Sequence, residues 1–283
     1  MDARAREDGE TTVSMELGLK GRVAAITGGS KGIGRAIARG LASQGVDLIL
    51  LARGMEQLEK TAAEIRSSTG VRVSALQADI TSSESVQSAA AAAQKDFPTV
   101  HIVVNNAGAP MRRTDRQILW PDGDWVGDIN LKLVGMLRVI QAFLPQIARD
   151  GSGRIINISG TGGSLVWSPA LTIGLNNAAM NHVTTYLAQD MANDRITVNA
   201  IIPGLVGTEG REAWAENMAK QQNVTKAEFV AGFCKRMGIL AGRWASMEEI
   251  ADMAVFLSSD RAQYINGSRI VVDGGMSINP RPA

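Results

Sequence analysis

Thr27-Gly28-Gly29-Ser30-Lys31-Gly32-Ile33-Gly34 follows the apolar run Val23-Ala24-Ala25-Ile26 and opens a helical pattern from Arg35 to Ser43. An apolar strand that breaks into a glycine-rich turn and then a helix aims unpaired backbone N–H groups and the positive end of the helix dipole at one point. An anion sits there. Gly28 takes backbone angles that other residues avoid, while Gly32 and Gly34 carry no Cβ to block a pyrophosphate or the approach of helix to strand. An isolated glycine triplet is equally an ordinary tight turn. Its place one strand into a long alternating β/α pattern predicts a dinucleotide site formed by Gly28, Ser30, Lys31, Gly32, Ile33 and Gly34.

Downstream the alternation continues. Val46 to Ala52 is a second apolar strand, ending at Arg53-Gly54 before the amphipathic run Met55 to Ser68. In dinucleotide folds an acid at this strand end binds the ribose hydroxyls and favours NAD, whereas a base accepts the 2′-phosphate of NADP. Arg53, with Lys31 in the first turn, favours NADP over NAD. Each alone also reads as a solvated surface cation. A third strand, Arg72 to Ala78, ends at Asp79 and Ile80, with Asp79 placed to touch the adenine edge or simply to sit near a helix start. Thr81-x-x-Glu84 reads as a capping box for the helix that follows. The fourth strand, Val100 to Val104, runs into Asn105-Asn106-Ala107-Gly108, whose small residues let the backbone pass close to a cofactor and whose amides can tie adjacent strands.

The formal charge of +1 offers no broad basic field for nucleic acid or an anionic membrane, so small molecules are the expected partners. Cys234 is the only cysteine, and with just His101 and His182 beside it no thiolate or imidazole metal cluster is expected. No apolar run approaches the ~20 residues of a membrane span, and residues 1–17 read as a polar tail; the expectation is a cytoplasmic protein.

Thr27-Gly28-x-x-x-Gly32-Ile33-Gly34 together with Asn105-Asn106-Ala107-Gly108 resembles the short-chain dehydrogenase/reductase family, over roughly residues 18–278. The resemblance implies an α/β fold in one domain, residues 18–283: a Rossmann-type doubly wound sheet of seven parallel strands with helices on both faces. It also implies cofactor contacts from Asn106, Ala107, Gly108, Pro203, Gly204, Val206 and Thr208, and a helical lid at about 208–243. The long helical patterns around 124–149 and 174–192 match those the family uses to form dimers or tetramers. In the lid, Trp214, Met218, Phe229, Phe233 and Met237 recur at helical spacing. They pack the lid down, or line an apolar pocket; taken together they suggest an apolar substrate.

The family's chemistry, by the same resemblance, rests on a Ser after the fifth strand, a Tyr thirteen positions on, a Lys one turn later and an Asn on the preceding helix. The Tyr passes a proton, the Lys cation lowers its pKa and holds the nicotinamide ribose, and the Ser steadies the substrate oxygen. Asn130 fits its place as the catalytic Asn. At the other three positions stand Gly160, Ile173 and Asn177, and no Tyr-x-x-x-Lys occurs anywhere in the chain. Ser159 is one residue off and should face away; Ser164, Ser168 and Thr172 lie near the expected pocket beside Gly160 and Ile173 but are weak acids and bases unaided. Asn177 can hydrogen-bond a ribose but supplies no charge.

Three functions follow. One is NADP-dependent hydride transfer to an acceptor needing little acid assistance, such as an iminium or conjugated alkene. Another is a cofactor-binding regulatory or structural subunit without turnover. The third is a non-redox enzyme reusing the pocket. The first two share one expectation, that ordinary ketones are reduced very slowly.

Overall fold

The computed structural model describes residues 16–108, 116–166 and 170–279. Seven strands, β1 (Val23–Thr27), β2 (Asp47–Ala52), β3 (Val73–Gln77), β4 (Ile102–Asn105), β5 (Arg154–Ile158), β6 (Thr197–Pro203) and β7 (Arg269–Val272), form one parallel sheet in the order β3-β2-β1-β4-β5-β6-β7. Their residues alternate between two cores. Ala24, Ile26, Leu48, Leu50, Ile102 and Val104 face one layer, while Val23, Ala25, Ile49, Leu51 and Val103 face the other. A strand buried on both faces needs near-continuous apolar sequence, which is why these runs were legible.

Helices α1 (Gly32–Ser43), α2 (Met55–Thr69) and α9 (Met247–Ser258) cover the first face through Ile37, Leu41, Leu58, Ile65, Ile250 and Leu257. On the second face lie α3 (Ser83–Asp96), α5 (Gly135–Phe143) and α6 (Leu171–Asp190), contributing Val86, Met136, Phe143 and Met180. Before α5 comes α4 (Asp122–Ile129), joined to it by a turn of π-helix, Asn130–Val134. Such widened turns concentrate at functional sites. The strand order reverses between β1 and β4, and at such a switch point the carboxyl ends of the strands leave a crevice for ligand.

The caps at the starts of α9 and α3 are built differently, and the second departs from the expected Thr81 box. Ser246 and Glu249 form the reciprocal box at the start of α9, Ser246 Oγ accepting from the Glu249 N–H at 3.1 Å and a Glu249 carboxylate oxygen accepting from the Ser246 N–H at 2.8 Å. Replacing Ser246 by Ala is expected to cost about 1 kcal/mol, read as a lowered Tm in thermal denaturation. At α3 the cap is instead Ser82, which accepts from the Ser85 N–H at 3.2 Å. Thr81 is drawn off by Asp79, whose Oδ1 accepts from both its N–H, at 2.9 Å, and its hydroxyl, at 2.7 Å.

Of the stretch read as a tail, residues 1–15 lie outside the described residues. Leu17 packs against the first core and its carbonyl accepts from the Asp260 N–H at 3.0 Å. No helix among the described residues is long and apolar enough to cross a membrane.

Candidate active site

Around the first glycine turn the backbone is held from β4. Asn106 donates through Nδ2 to the Thr27 carbonyl at 3.0 Å, and the Asn106 and Ala107 N–H groups both donate to Thr27 Oγ1, at 3.0 and 3.1 Å. Asn105 Nδ2 donates to Asn157 Oδ1 at 2.9 Å, and Asn157 donates on to Thr184 of α6, also at 2.9 Å. The amides therefore tie β1, β4, β5 and α6 together, and the Asn106 side chain positions the turn.

Gly28 and Gly32 have φ of +67° and +58°, in the left-handed region. A Cβ on Gly34 would lie 2.3 Å from the Gly28 carbonyl oxygen and 2.5 Å from Asn106 Nδ2. Only glycine lets α1 start this close to the turn. Lys31, the N-cap of α1, is extended and gives no side-chain cap, and no acid stands in the first helical turn. The Cβ position of Gly32 meets nothing nearer than Thr208 Cγ2 at 3.9 Å. Glu209 Oε2 also comes within 4.0 Å of that position, with the Glu209 carboxylate paired to Arg35 of α1. Uncapped N–H groups and an open glycine surface fit a pyrophosphate.

Lys31 and Arg53 are both exposed, Arg53 just after β2, on the same edge of the sheet. Asp79 follows β3. The Thr81 hydrogen bonds, then the nearby Arg53 charge, hold its carboxyl below the usual range. Asp79 thus shapes its own turn. The Ile80 side chain is buried against Gly135, and its carbonyl accepts from Arg138 at 3.3 Å. On the far side of the crevice Pro203 ends β6, the Gly204 N–H donates to Val272 at 3.0 Å, and buried Val206 leads to Thr208 beside the phosphate turn.

At the catalytic edge the structure departs from expectation. Asn130 opens the π-turn, and two residues later Lys132 reaches α6, where its Nζ donates to Asn177 Oδ1 at 2.6 Å. A cation from another element thus stands against the residue at the position where the sequence pattern lacks one. Burial, with no compensating partner charge, lowers the Lys132 ammonium to about 8. Gly160, expected to line a pocket, is faced by Asn177, whose Nδ2 lies 2.8 Å from where a Gly160 Cβ would be. The loop can lie so close because Gly163 has no Cβ, which would stand 2.8 Å from the Ala178 nitrogen.

Thr172, also expected in the pocket, is buried with its hydroxyl donating to Asp128 Oδ2 at 2.8 Å. It locks α6 to α4. Ile173 is half-buried beside Gly162 and offers no hydroxyl. Ser159 donates to the Asn177 carbonyl at 3.2 Å, Ser164 is exposed, and Ser168 lies outside the described residues.

Helices α7 (Glu209–Gln221) and α8 (Lys226–Arg236) occupy the expected lid region. Trp214 meets Phe229 and Phe233 edge-on at 5.3 and 5.2 Å, and with Met218, Met237 and buried Cys234 they form a core of their own. The aromatic residues pack on one another, so the suggestion of an apolar substrate loses the side chains it rested on.

The family model described as enoyl-(acyl carrier protein) reductase matches residues 28–277, a span that takes in the phosphate turn, the Asn105–Gly108 stretch and all the strands from β2 to β7. The chain belongs to the short-chain dehydrogenase/reductase family. Among its relatives in that family is the oxidoreductase UcpA of Salmonella typhimurium strain LT2, 37% identical over 261 residues that cover 92% of this chain and 96% of UcpA. A crystal structure of L-sorbose reductase from Gluconobacter frateurii, complexed with NADPH and L-sorbose, superposes with a TM-score of 0.87 at 31% identity, covering 94% of this chain and 100% of that one. An NADPH-bound short-chain oxidoreductase from Pseudomonas aeruginosa PAO1, described as containing an atypical catalytic center, gives 0.84 at 27% identity over 94% of this chain and 100% of that one.

Proposed function

We propose that this short-chain dehydrogenase/reductase is an NADP(H)-dependent oxidoreductase of a small molecule that works without the family's Tyr and Lys. The observation that carries the reading is the cradle at Gly28 to Gly34, where a side chain on Gly34 would meet backbone at 2.3 Å. That shape lets the helix approach the turn and leaves its N–H groups open to a phosphate. A bound nicotinamide would supply or accept hydride. The chain's own groups would hold its pyrophosphate at the α1 N-terminus and would meet a 2′-phosphate with Lys31 and Arg53, while Thr208 stands at the phosphate turn. The NADPH-bound relatives support the same choice.

Charge-assisted hydrogen bonds to the 2′-phosphate are worth roughly 1.5–3 kcal/mol each. Fluorescence titration is therefore expected to show tighter binding of NADPH than NADH, with the preference reduced about tenfold or more in Arg53→Ala. Equal affinities in the parent would overturn the choice of cofactor.

An acceptor needing little acid assistance is the expectation for a site with no cation. With Lys132 at Asn177, ketones join imines and enones as candidate substrates. Following nicotinamide absorbance with a panel of all three tests the activity, and binding without consumption across the panel would favour the non-catalytic reading instead. We also propose a homo-oligomer, assembled through α5 and α6, which carry the exposed apolar side chains Leu137, Leu171 and Leu175. A monomeric mass by light scattering at micromolar concentration would count against it.

A further inference from the structure

We infer that Lys132 is the proton-transfer group of this site, oriented at the carboxyl edge of the sheet by Asn177. The inference rests on the oxidoreductase reading and adds to it the group that handles the proton. Lys132 leaves the π-turn, passes Gly108 with its Cδ 3.7 Å from that residue's Cβ position, and ends with Nζ 2.6 Å from Asn177 Oδ1. Asn177 turns its other amide atom toward Gly160, the first residue beyond Ser159 after β5. The ammonium therefore sits where the ends of β4 and β5 meet α6.

Its partner is neutral. Elsewhere Arg35, Arg72, Lys226 and Arg243 each meet a carboxylate, and among the described residues none pairs with Lys132. A half-buried cation with one amide for company is disfavoured by desolvation, and a fold keeps such a group where it does chemistry. Burial brings it to about 8, the range in which a lysine exchanges protons near neutral pH. Three charged or titratable groups on the described elements around it have their own places. Asp128 accepts from Thr172, Arg138 donates to the Ile80 and Asn130 carbonyls, and His182, five residues beyond Asn177, is exposed.

An ammonium carries three protons, and Asn177 takes one. In the reducing direction a carbonyl carbon accepts hydride from the reduced nicotinamide, and the C=O π pair moves to oxygen. That oxygen takes a proton from Lys132: the N–H bond breaks, the O–H bond forms, and the neutral amine regains a proton from water. Oxidation of the alcohol reverses each change, with the oxidised nicotinamide as hydride acceptor.

The test uses the full chain. Competitive labelling with acetic anhydride across pH 6–11, read residue by residue by mass spectrometry, is expected to titrate Lys132 near 8, well below the ordinary lysine value of about 10.4. Saturating NADPH is expected to slow labelling of Lys132 but not of Lys20. A Lys132 that titrates at the ordinary lysine value, or whose labelling is unchanged by bound NADPH, overturns the proposal. Lys132→Met, checked for a parent-like melting curve and NADPH affinity, is expected to lose ~10²–10⁴-fold in carbonyl reduction, together with the fall in parent activity above pH 8. Turnover and pH profile equal to the parent overturn the proposal and leave the oxidoreductase reading standing. Failure of the parent to bind NADPH overturns both.

Discussion

Gly34→Ala is expected to damage the fold and the cofactor site together. The added Cβ would stand 2.3 Å from the Gly28 oxygen, 2.9 Å from the Gly28 carbonyl carbon and 2.5 Å from Asn106 Nδ2. None of these yields easily. The first two are backbone of the turn, and the third is pinned by its bond to the Thr27 carbonyl. Overpacking of this kind costs 1–3 kcal/mol, which in a domain of this size lowers Tm by several degrees. Pushing α1 off the turn also moves the N–H groups that a pyrophosphate would meet, so NADPH affinity should fall at least tenfold. Gly32→Ala gives the comparison for stability alone, since its Cβ would stand on the surface that a pyrophosphate approaches. That Cβ meets no atom nearer than Thr208 Cγ2 at 3.9 Å, and its φ of +58° costs roughly 1–2 kcal/mol without a clash. Differential scanning fluorimetry of both variants separates the clash from the backbone cost, and cofactor titration of Gly34→Ala reads the effect on the turn. A Gly34→Ala protein that melts and binds like the parent would show that the turn relaxes and that this close approach is not what fixes the site.

The fold was legible because a doubly covered parallel sheet leaves a one-dimensional trace: apolar runs such as Val46 to Ala52, punctuated by glycine, then a polar helix start. The phosphate turn was legible for the same reason, since Gly28, Gly32 and Gly34 act through backbone. The catalytic edge was not. A search for Tyr-x-x-x-Lys follows a single helix, whereas the ammonium arrives from 45 residues upstream, on another element. Its one sequence signal was Lys132 itself, a cation flanked by Leu131, Leu133 and Val134 in a helical apolar run. The glycines from 160 to 163 misled in a different way. In the family pattern Gly160 stands for a lost serine, while in the structure this short stretch lets the loop lie close on α6, with Asn177 against Gly160. Lid aromatics were ambiguous because helical spacing shows that a face is apolar and says nothing of whether protein or ligand covers it.

Rebuilding the family's Ser, Tyr and Lys in this chain is expected to fail unless Lys132 is removed as well. Gly160→Ser alone puts its Cβ 2.8 Å from Asn177 Nδ2, an amide held in place by Lys132, so the new hydroxyl cannot settle without breaking that contact. Ile173→Tyr alone supplies a phenol whose pKa stays near 10, with no arranged cation to lower it. Asn177→Lys removes the partner of Lys132 and sets a second ammonium where the amide had been, two like charges in a site that already disfavours one. The triple variant therefore carries this repulsion at its centre. Its reduction of simple ketones should be no faster than that of the parent. Adding Lys132→Met takes away the competing charge while keeping an apolar stem against Gly108. One ammonium then stands beside the phenol, lowers its pKa and leaves it the only acid in reach. A positioned general acid contributes ~10²–10⁴-fold, and residues that act as a unit recover together and not one by one. The quadruple variant is expected to exceed the triple by about 10²-fold in kcat with NADPH, and Lys132→Met alone to fall below the parent. A triple variant as fast as the quadruple would mean that Lys132 and a lysine at 177 do not share one site, and that the 2.6 Å contact is not the centre of this enzyme's chemistry.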